Sequence, residues 1–239
     1  MQQTGQAFVF VNDIPWQERS KMLDNGEIDI GWICSLPYTR KTDDGTATYE
    51  LLAVPVRSGI RYQSKPICFS EIIVRSDSKA ISLTDLRGMT LAYNEPYSFS
   101  GYTAIRSHAA SMKEFNLFSK AIEAGSHEKA LLMVKTGEAD VAAIDSTMLE
   151  MELKHNPETM NDLRSLDSIG PYPAAPLVIR QNIPEKIKAS ILTSLLNMHH
   201  NPTGQMILEE SLLSRFEEIS DHHYNYTREA DRASFLVTW

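Results

Sequence analysis

Two short segments carry residue types that could hold an anion. The first, Asn94-Glu-Pro-Tyr-Ser-Phe-Ser-Gly-Tyr102, joins an apolar run to a helical one through two hydroxyls and a glycine. The first turn of a helix leaves backbone N–H groups without partners and carries a partial positive charge. Ser98, Ser100 and the amides near Gly101 and Tyr102 could therefore cradle phosphate-like oxygens. The same two serines would serve equally as plain N-caps, so the pattern admits both readings. The second segment, Gly125-Ser-His-Glu128, puts Ser126 and His127 at another helix start. There the imidazole either donates to an anion or stands in solvent. Asp145 closes an apolar run, where a carboxylate needs a ligand cation, a salt bridge or a helix end to answer it. Tyr38, in Leu36-Pro-Tyr38, projects a phenol from what reads as a loop after another strand.

Catalytic and metal chemistry find less support. The chain contains no GxSxG, HExxH, P-loop or GxGxxG motif. His199-His200 and His222-His223 are adjacent pairs whose side chains diverge on a helix or strand, a poor start for a metal site. Asp43-Asp44-Gly45 reads as an exposed turn. Cys34 and Cys68 lack the CxxC spacing of a zinc site or redox dithiol and read as buried, inert thiols. The expectation is no catalytic residue, no metal and no cofactor.

Charge narrows the partners. Lys+Arg number 23 against 31 Asp+Glu, a net charge of −8 without a basic run, which argues against a nucleic-acid binder. An anionic ligand must then be held by local donors. No run of roughly 18 apolar residues exists, so no direct membrane insertion is expected. The opening Met1-Gln-Gln-Thr-Gly-Gln is unlike a signal peptide; taken alone, the chain reads as cytosolic or as lacking its front.

The elements that must position these residues follow from hydrophobic period. Strands are expected at 7–11, 28–34, 49–57, 70–75, 90–93, 139–144 and 177–180, with helices after Pro15 and at 101–112, 127–135, 184–199 and 203–213. That alternation is the pattern of an α/β protein, and 239 residues suit one large domain or two small lobes. An internal similarity favours two lobes. Met22-Leu-Asp-Asn-Gly-Glu-Ile-Asp-Ile-Gly-Trp-Ile-Cys-Ser35 and Met133-Val-Lys-Thr-Gly-Glu-Ala-Asp-Val-Ala-Ala-Ile-Asp-Ser146 share a helix end, a Gly-Glu-x-Asp turn and an apolar strand. Each lobe would own one copy, with the two strand ends facing a shared cleft.

Several ordered motifs then make the chain similar to a known family. Asp29 to Tyr38, Ser70 to Ser78, Asp85-Leu-Arg-Gly88 with Asn94 to Tyr102, Gly125 to Glu128 with Gly137 to Ser146, and Gly170-Pro171 with Pro176 resemble the substrate-binding proteins of ABC importers for phosphonate, phosphite, phosphate and related oxyanions. Phe216 to Asp221 with Tyr224 is similar too. The resemblance implies a two-lobed type II periplasmic-binding-protein fold, with lobe one at 1–74 plus 175–239 and lobe two at 75–174. It implies a non-enzymatic receptor that closes on a small oxyanion in the interlobe cleft and delivers it to an ABC transporter permease. The implied location is the periplasm, or a lipid anchor outside the inner membrane. The resemblance further implies ligand contacts from Tyr38, Ser98, Ser100, Gly101, Tyr102 and His127, with Asp145 near the ligand's substituent. The family's first strand–helix unit is expected to be missing ahead of Ala7. Phe99 stands where a small hydroxyl residue is usual, and Cys68-Phe69 where an aromatic pair is common, which implies a ligand with more apolar surface. The alternatives are a cytosolic enzyme on the same fold, of the thiamine-pyrimidine or menaquinone-precursor type, and a ligand-sensing domain of a signalling protein.

Overall fold

The computed structural model describes residues 7–239. In chain order its regular elements are α1 (Trp16–Asp24), β1 (Ile30–Trp32), α2 (Ser35–Asp43), β2 (Tyr49–Arg57), β3 (Ile67–Arg75) and β4 (Thr90–Tyr93). There follow α3 (Ala104–Ser111), β5 (Lys120–Glu123), α4 (His127–Thr136), β6 (Val141–Asp145), α5 (Ser146–His155) and β7 (Leu163–Pro173). The last are β8 (Leu177–Arg180), α6 (Glu185–Leu196), α7 (Pro202–Glu210), β9 (Leu213–Glu217) and α8 (Asn225–Ser234). Among the described residues no helix is long and apolar enough to cross a membrane.

The chain divides into two compact units, residues 1–67 with 173–224 and residues 68–172 with 225–239. Unit 1 holds a sheet in the order β1-β8-β2-β9, in which β8 runs antiparallel to both β1 and β2, and β9 antiparallel to β2. Strand β2 is buried over most of its length, as an unbroken Leu-Leu-Ala-Val-Pro-Val run requires. Ala53, Ile179, Ile191, Leu208 and Phe216 pack one core against it. Leu23, Tyr38, Tyr49, Val178 and Tyr224 pack another.

Unit 2 holds a sheet in the order β5-β4-β6-β3-β7. Strand β4 is parallel to β5 and β6, and β3 is antiparallel to β6. Ile73, Ala92, Ala130, Val134, Ala142 and Ile144 form its core. The sequence placed residues 225–239 with lobe one, whereas they lie in unit 2. The cause is Arg106 on α3. Its guanidinium donates to the carbonyls of Ser234 (3.1 Å), Val237 (2.7 Å) and Trp239, and lies over the Trp239 ring at 5.2 Å. A planar five-donor fork can collect several carbonyls in this way, where a lysine could not.

The internal similarity has a structural counterpart in each unit. Gly26 (φ 75°) follows α1 and Gly137 (φ 79°) follows α4, both in the left-handed region where a glycine ends a helix without strain. A strand follows in each case, and then a helix beginning at Ser35 or Ser146. Tyr38 therefore lies in α2, not in a loop.

Residues 7–11 are a correction: they join no strand among the described residues. Phe8, Val9 and Phe10 are 51%, 89% and 84% exposed, so apolar composition without a ladder partner does not make a strand there.

Candidate functional site

Six of the seven residues singled out in the sequence belong to unit 2. Strand β4 delivers the chain to Asn94, and Ser98 caps the turn that follows. The Ser98 hydroxyl accepts the Gly101 N–H at 3.0 Å, and its carbonyl accepts the Thr103 N–H at 3.1 Å. Residues Phe99–Thr103 form a single π-helical turn ahead of α3. Such turns are wider than α and are frequent where a helix start serves a function. Capping is thus what Ser98 does. Ser100 is 7% exposed, and its hydroxyl has no protein partner among the described residues. Its carbonyl is fixed instead, accepting the Ser70 hydroxyl of β3 at 2.5 Å.

Gly101 is required by proximity. A β-carbon there would stand 1.9 Å from Asn94 Oδ1 and 3.1 Å from His127 Cε1. Asn94 and His127 are held together by backbone: the N–H groups of Ala124 and Gly125 donate to the carbonyls of Tyr93 and Asn94, both at 2.8 Å. Helix α4 then starts at His127, with Ser126 accepting the Lys129 N–H at 3.2 Å. Asn94 Oδ1 and His127 Nδ1 are both enclosed without a hydrogen-bond partner. Burial holds the His127 pKa below the usual histidine value, and the opposing pull of Asp145 and Glu128 is the smaller effect.

Asp145 ends β6 and caps α5, accepting the N–H groups of Thr147 (2.8 Å) and Met148 (3.3 Å). It is the cross-strand partner of Ser70, the residue that fixes Ser100. One Asp145 oxygen is thereby occupied by a helix end, while the carboxylate charge reaches His127.

Tyr102 does not turn its side chain to the cradle. Its ring stacks on Tyr93 at 4.2 Å, and its hydroxyl accepts from Arg106 at 3.0 Å, which leaves the backbone as its contribution. Tyr38 belongs to unit 1. It is 3% exposed, packs on Tyr224 at 4.9 Å and donates to Asp221 at 2.9 Å. Phe99, expected to offer apolar surface to a ligand, is 1% exposed and meets Tyr172 and Tyr226 edge-on at 4.8 and 6.2 Å.

Three residues of this arrangement were not singled out by sequence reasoning: Asn94, Ser70 and Glu95. Burial pushes the Glu95 carboxyl up to about 7, with Glu123 adding to the rise and the Tyr97 N–H opposing it. The available signal was Gly101 itself, since a glycine in a helix's opening turns implies a close neighbour.

Two serine-capped helix starts stand on the mixed sheet of unit 2, and the chain has the type II periplasmic-binding-protein fold. Residues 1–224 match the family described as ABC transporter, phosphonate, periplasmic substrate-binding protein, and the chain belongs to that family. It is 25% identical over 201 residues to the phosphonates-binding periplasmic protein of Escherichia coli K12, covering 82% of this chain and 57% of that protein. The chain thus spans little more than half the length of that curated relative. Among solved structures it is similar to a binding-protein component of a Pseudomonas aeruginosa ABC phosphonate transporter, with a TM-score of 0.81, 24% identity and coverage of 98% and 78% of the two chains. It is similar also to a Prochlorococcus marinus protein solved in complex with methylphosphonate, with a TM-score of 0.83, 18% identity and coverage of 99% and 89%.

Proposed function

We propose that this protein is the solute-binding component of an ABC importer and binds a small tetrahedral oxyanion of the phosphonate, phosphite or phosphate class. The ligand sits on the turn from Ser98 to Tyr102 and is delivered to a membrane permease from the periplasmic side. One observation carries the reading: at the helix start where Gly101 carries no side chain, Asn94 Oδ1 takes the place a β-carbon would fill, and it and His127 Nδ1 are enclosed polar atoms without a hydrogen-bond partner among the described residues. The ligand contacts are the Ser100 hydroxyl, the amides of Gly101 and Tyr102 and the His127 ring. Ser98 shapes the turn, and Asp145 lies toward the substituent. Hydrogen bonds to a charged partner contribute roughly 1.5–3 kcal/mol each, so three or four suffice for micromolar affinity after the cost of association. The methylphosphonate complex of the Prochlorococcus relative supports this ligand class.

Thermal unfolding with phosphate, phosphite, sulfate and alkylphosphonates tests it. A ligand at about 100 times its Kd adds roughly 2.7 kcal/mol to stability. The reading fails if no member shifts the transition, or if the shift survives both Ser100→Ala and His127→Ala.

A further inference from the structure

The two units repeat one βαβ spacing, but their sheets differ by a strand. Gly26 and Gly137, and likewise Ser35 and Ser146, stand 111 positions apart. The same spacing sets α1 against α4, β1 against β6 and residues 9–12 against β5. In unit 2, β4 lies between β5 and β6 and is parallel to both. In unit 1, β1 pairs with β8, and among the described residues no strand pairs with its other edge.

The backbone of that edge is turned outward. The Asp29 carbonyl accepts the Arg180 N–H at 2.8 Å and the Ile33 N–H donates to the Pro176 carbonyl at 3.1 Å, both on the β8 side. Backbone groups alternate along a strand, so those of Ile30 and Trp32 face the open edge. The helix above is bare in the same way. Helix α4 buries Ala130, Leu131 and Val134 in a core that includes Ala92 of β4. At the matching positions of α1, Leu23 is buried while Arg19 and Ser20 are half-buried. Arg19 Nε is enclosed without a hydrogen-bond partner among the described residues. Phe8, Val9 and Phe10, the run matching β5, are exposed.

We propose that this edge is a docking site for a β-strand of a second polypeptide, which adds parallel to β1 and lies between it and residues 9–12. Strand addition of this kind draws affinity from main-chain hydrogen bonds and specificity from alternate side chains. The register follows from unit 2, where Leu91 and Ala92 of β4 stand level with Val141 and Ala142 of β6. The guest's two central residues are therefore level with Ile30 and Gly31.

Their chemistry follows as well. Leu91 and Ala92 are both fully buried, and Ala92 is the one in the core beneath α4. Helix α1 approaches its sheet closely, since a Gly31 β-carbon would stand 2.9 Å from Leu23 Cδ2. The guest is thus apolar at both central positions and small at the one under α1. This requirement disfavours the Phe8-Val-Phe-Val11 run of a second copy, which is bulky throughout.

Amide hydrogen exchange on the full chain tests the idea, with a capped peptide of residues 88–95, the β4 sequence, as the probe. The peptide should slow exchange in residues 9–12 and at Ile30 and Trp32 together. Ile30→Pro should weaken its binding about tenfold by removing one edge-facing donor. Proline is tolerated on an edge strand where the N–H faces solvent, so the variant should fold. The same peptide with Leu91→Asp and Ala92→Phe should not bind. The proposal is overturned if peptide at about 1 mM gives no protection, if only one of the two segments is protected, or if the altered peptide binds as well. Sedimentation of the protein alone covers the remaining occupant: a dimer whose Ile30 and Trp32 amides are protected without peptide would make the partner a second copy and overturn the proposal. None of these readouts involves an oxyanion, so the receptor reading stands or falls separately.

Discussion

Replacing Gly101 by alanine should disable the cradle through one carbon atom. The new β-carbon would lie 1.9 Å from Asn94 Oδ1 and 2.9 Å from Asn94 Cγ, against an optimum of roughly 3.5–4.0 Å for non-bonded heavy atoms. The third contact, 3.1 Å to His127 Cε1, needs only a small shift. Gly101 is not among the positive-φ glycines, so alanine meets no backbone strain and gains about 0.5–1 kcal/mol in helix propensity. Expelling the Asn94 side chain should cost about 1–3 kcal/mol as overpacking generally does, for a net loss of about 0–2.5 kcal/mol. The clash is with one side chain, so Asn94→Ala in the same chain should restore most of the loss, giving a coupling of about 1 kcal/mol or more. Urea unfolding of the parent, both single variants and the double variant closes the cycle, and calorimetry with methylphosphonate reads the cradle separately. If Gly101→Ala is as stable as the parent and the second substitution changes nothing, the close approach of Asn94 is not real.

Arg106→Ala removes the donors that hold residues 234–239 and should destabilise unit 2 by roughly 2–4 kcal/mol, with early proteolysis after α8; resistance equal to the parent's would contradict the strap. The Glu95 carboxyl is pushed up to about 7 from 4.5, so the native state favours its protonated form. Its contribution is present at low pH and lost as pH rises across that interval. Glu95→Gln should flatten the slope and be more stable at pH 8 by about 1–2 kcal/mol after solvent screening, as denaturant melts at several pH values will show. Tyr38→Phe deletes the bond to Asp221 and should cost unit 1 about 1 kcal/mol in a urea melt; no loss would mean the bond is not made. Raising ionic strength with a salt whose anion is too large for the cradle should leave affinity level or improve it, since the net charge of −8 repels the ligand. A tenfold weakening would instead point to a cationic contact.

The legible parts of the fold were those where composition and period agree. Leu177–Arg180 and Thr90–Tyr93 are short apolar runs between turn residues and are strands as expected. Strand β5 escaped notice because Lys120 and Glu123 close a four-residue strand with charge at both ends. Strand β7 escaped because Gly170 and two prolines interrupt its pattern. Helix α8 is polar on most of its surface, and its place is set by Arg106 more than a hundred positions earlier, which no local window contains. The site divides the same way. Ser98, Ser100, Gly101 and His127 share one stretch or one kind of corner, which spacing can reveal. That Ser98 caps, that Tyr102 turns to Tyr93 and Arg106, and that Asn94 abuts Gly101 are decided by tertiary packing.

On the proposed oxyanion reading, an acidic protein faces a selection that a basic one does not. A guanidinium or ammonium rewards every additional negative charge on the ligand, so a cationic site prefers dianions and tolerates sulfate and phosphate alike. Here the groups assembled around Gly101 are amides, a hydroxyl and an imidazole whose pKa burial lowers, with Asp145 close by. Dipoles of this kind stabilise a single charge through short directed hydrogen bonds and gain little from a second charge, while the surrounding carboxylates oppose it. The count and direction of donors then matter more than total charge. A ligand that places two or three acceptor oxygens correctly is favoured over one that is merely more anionic.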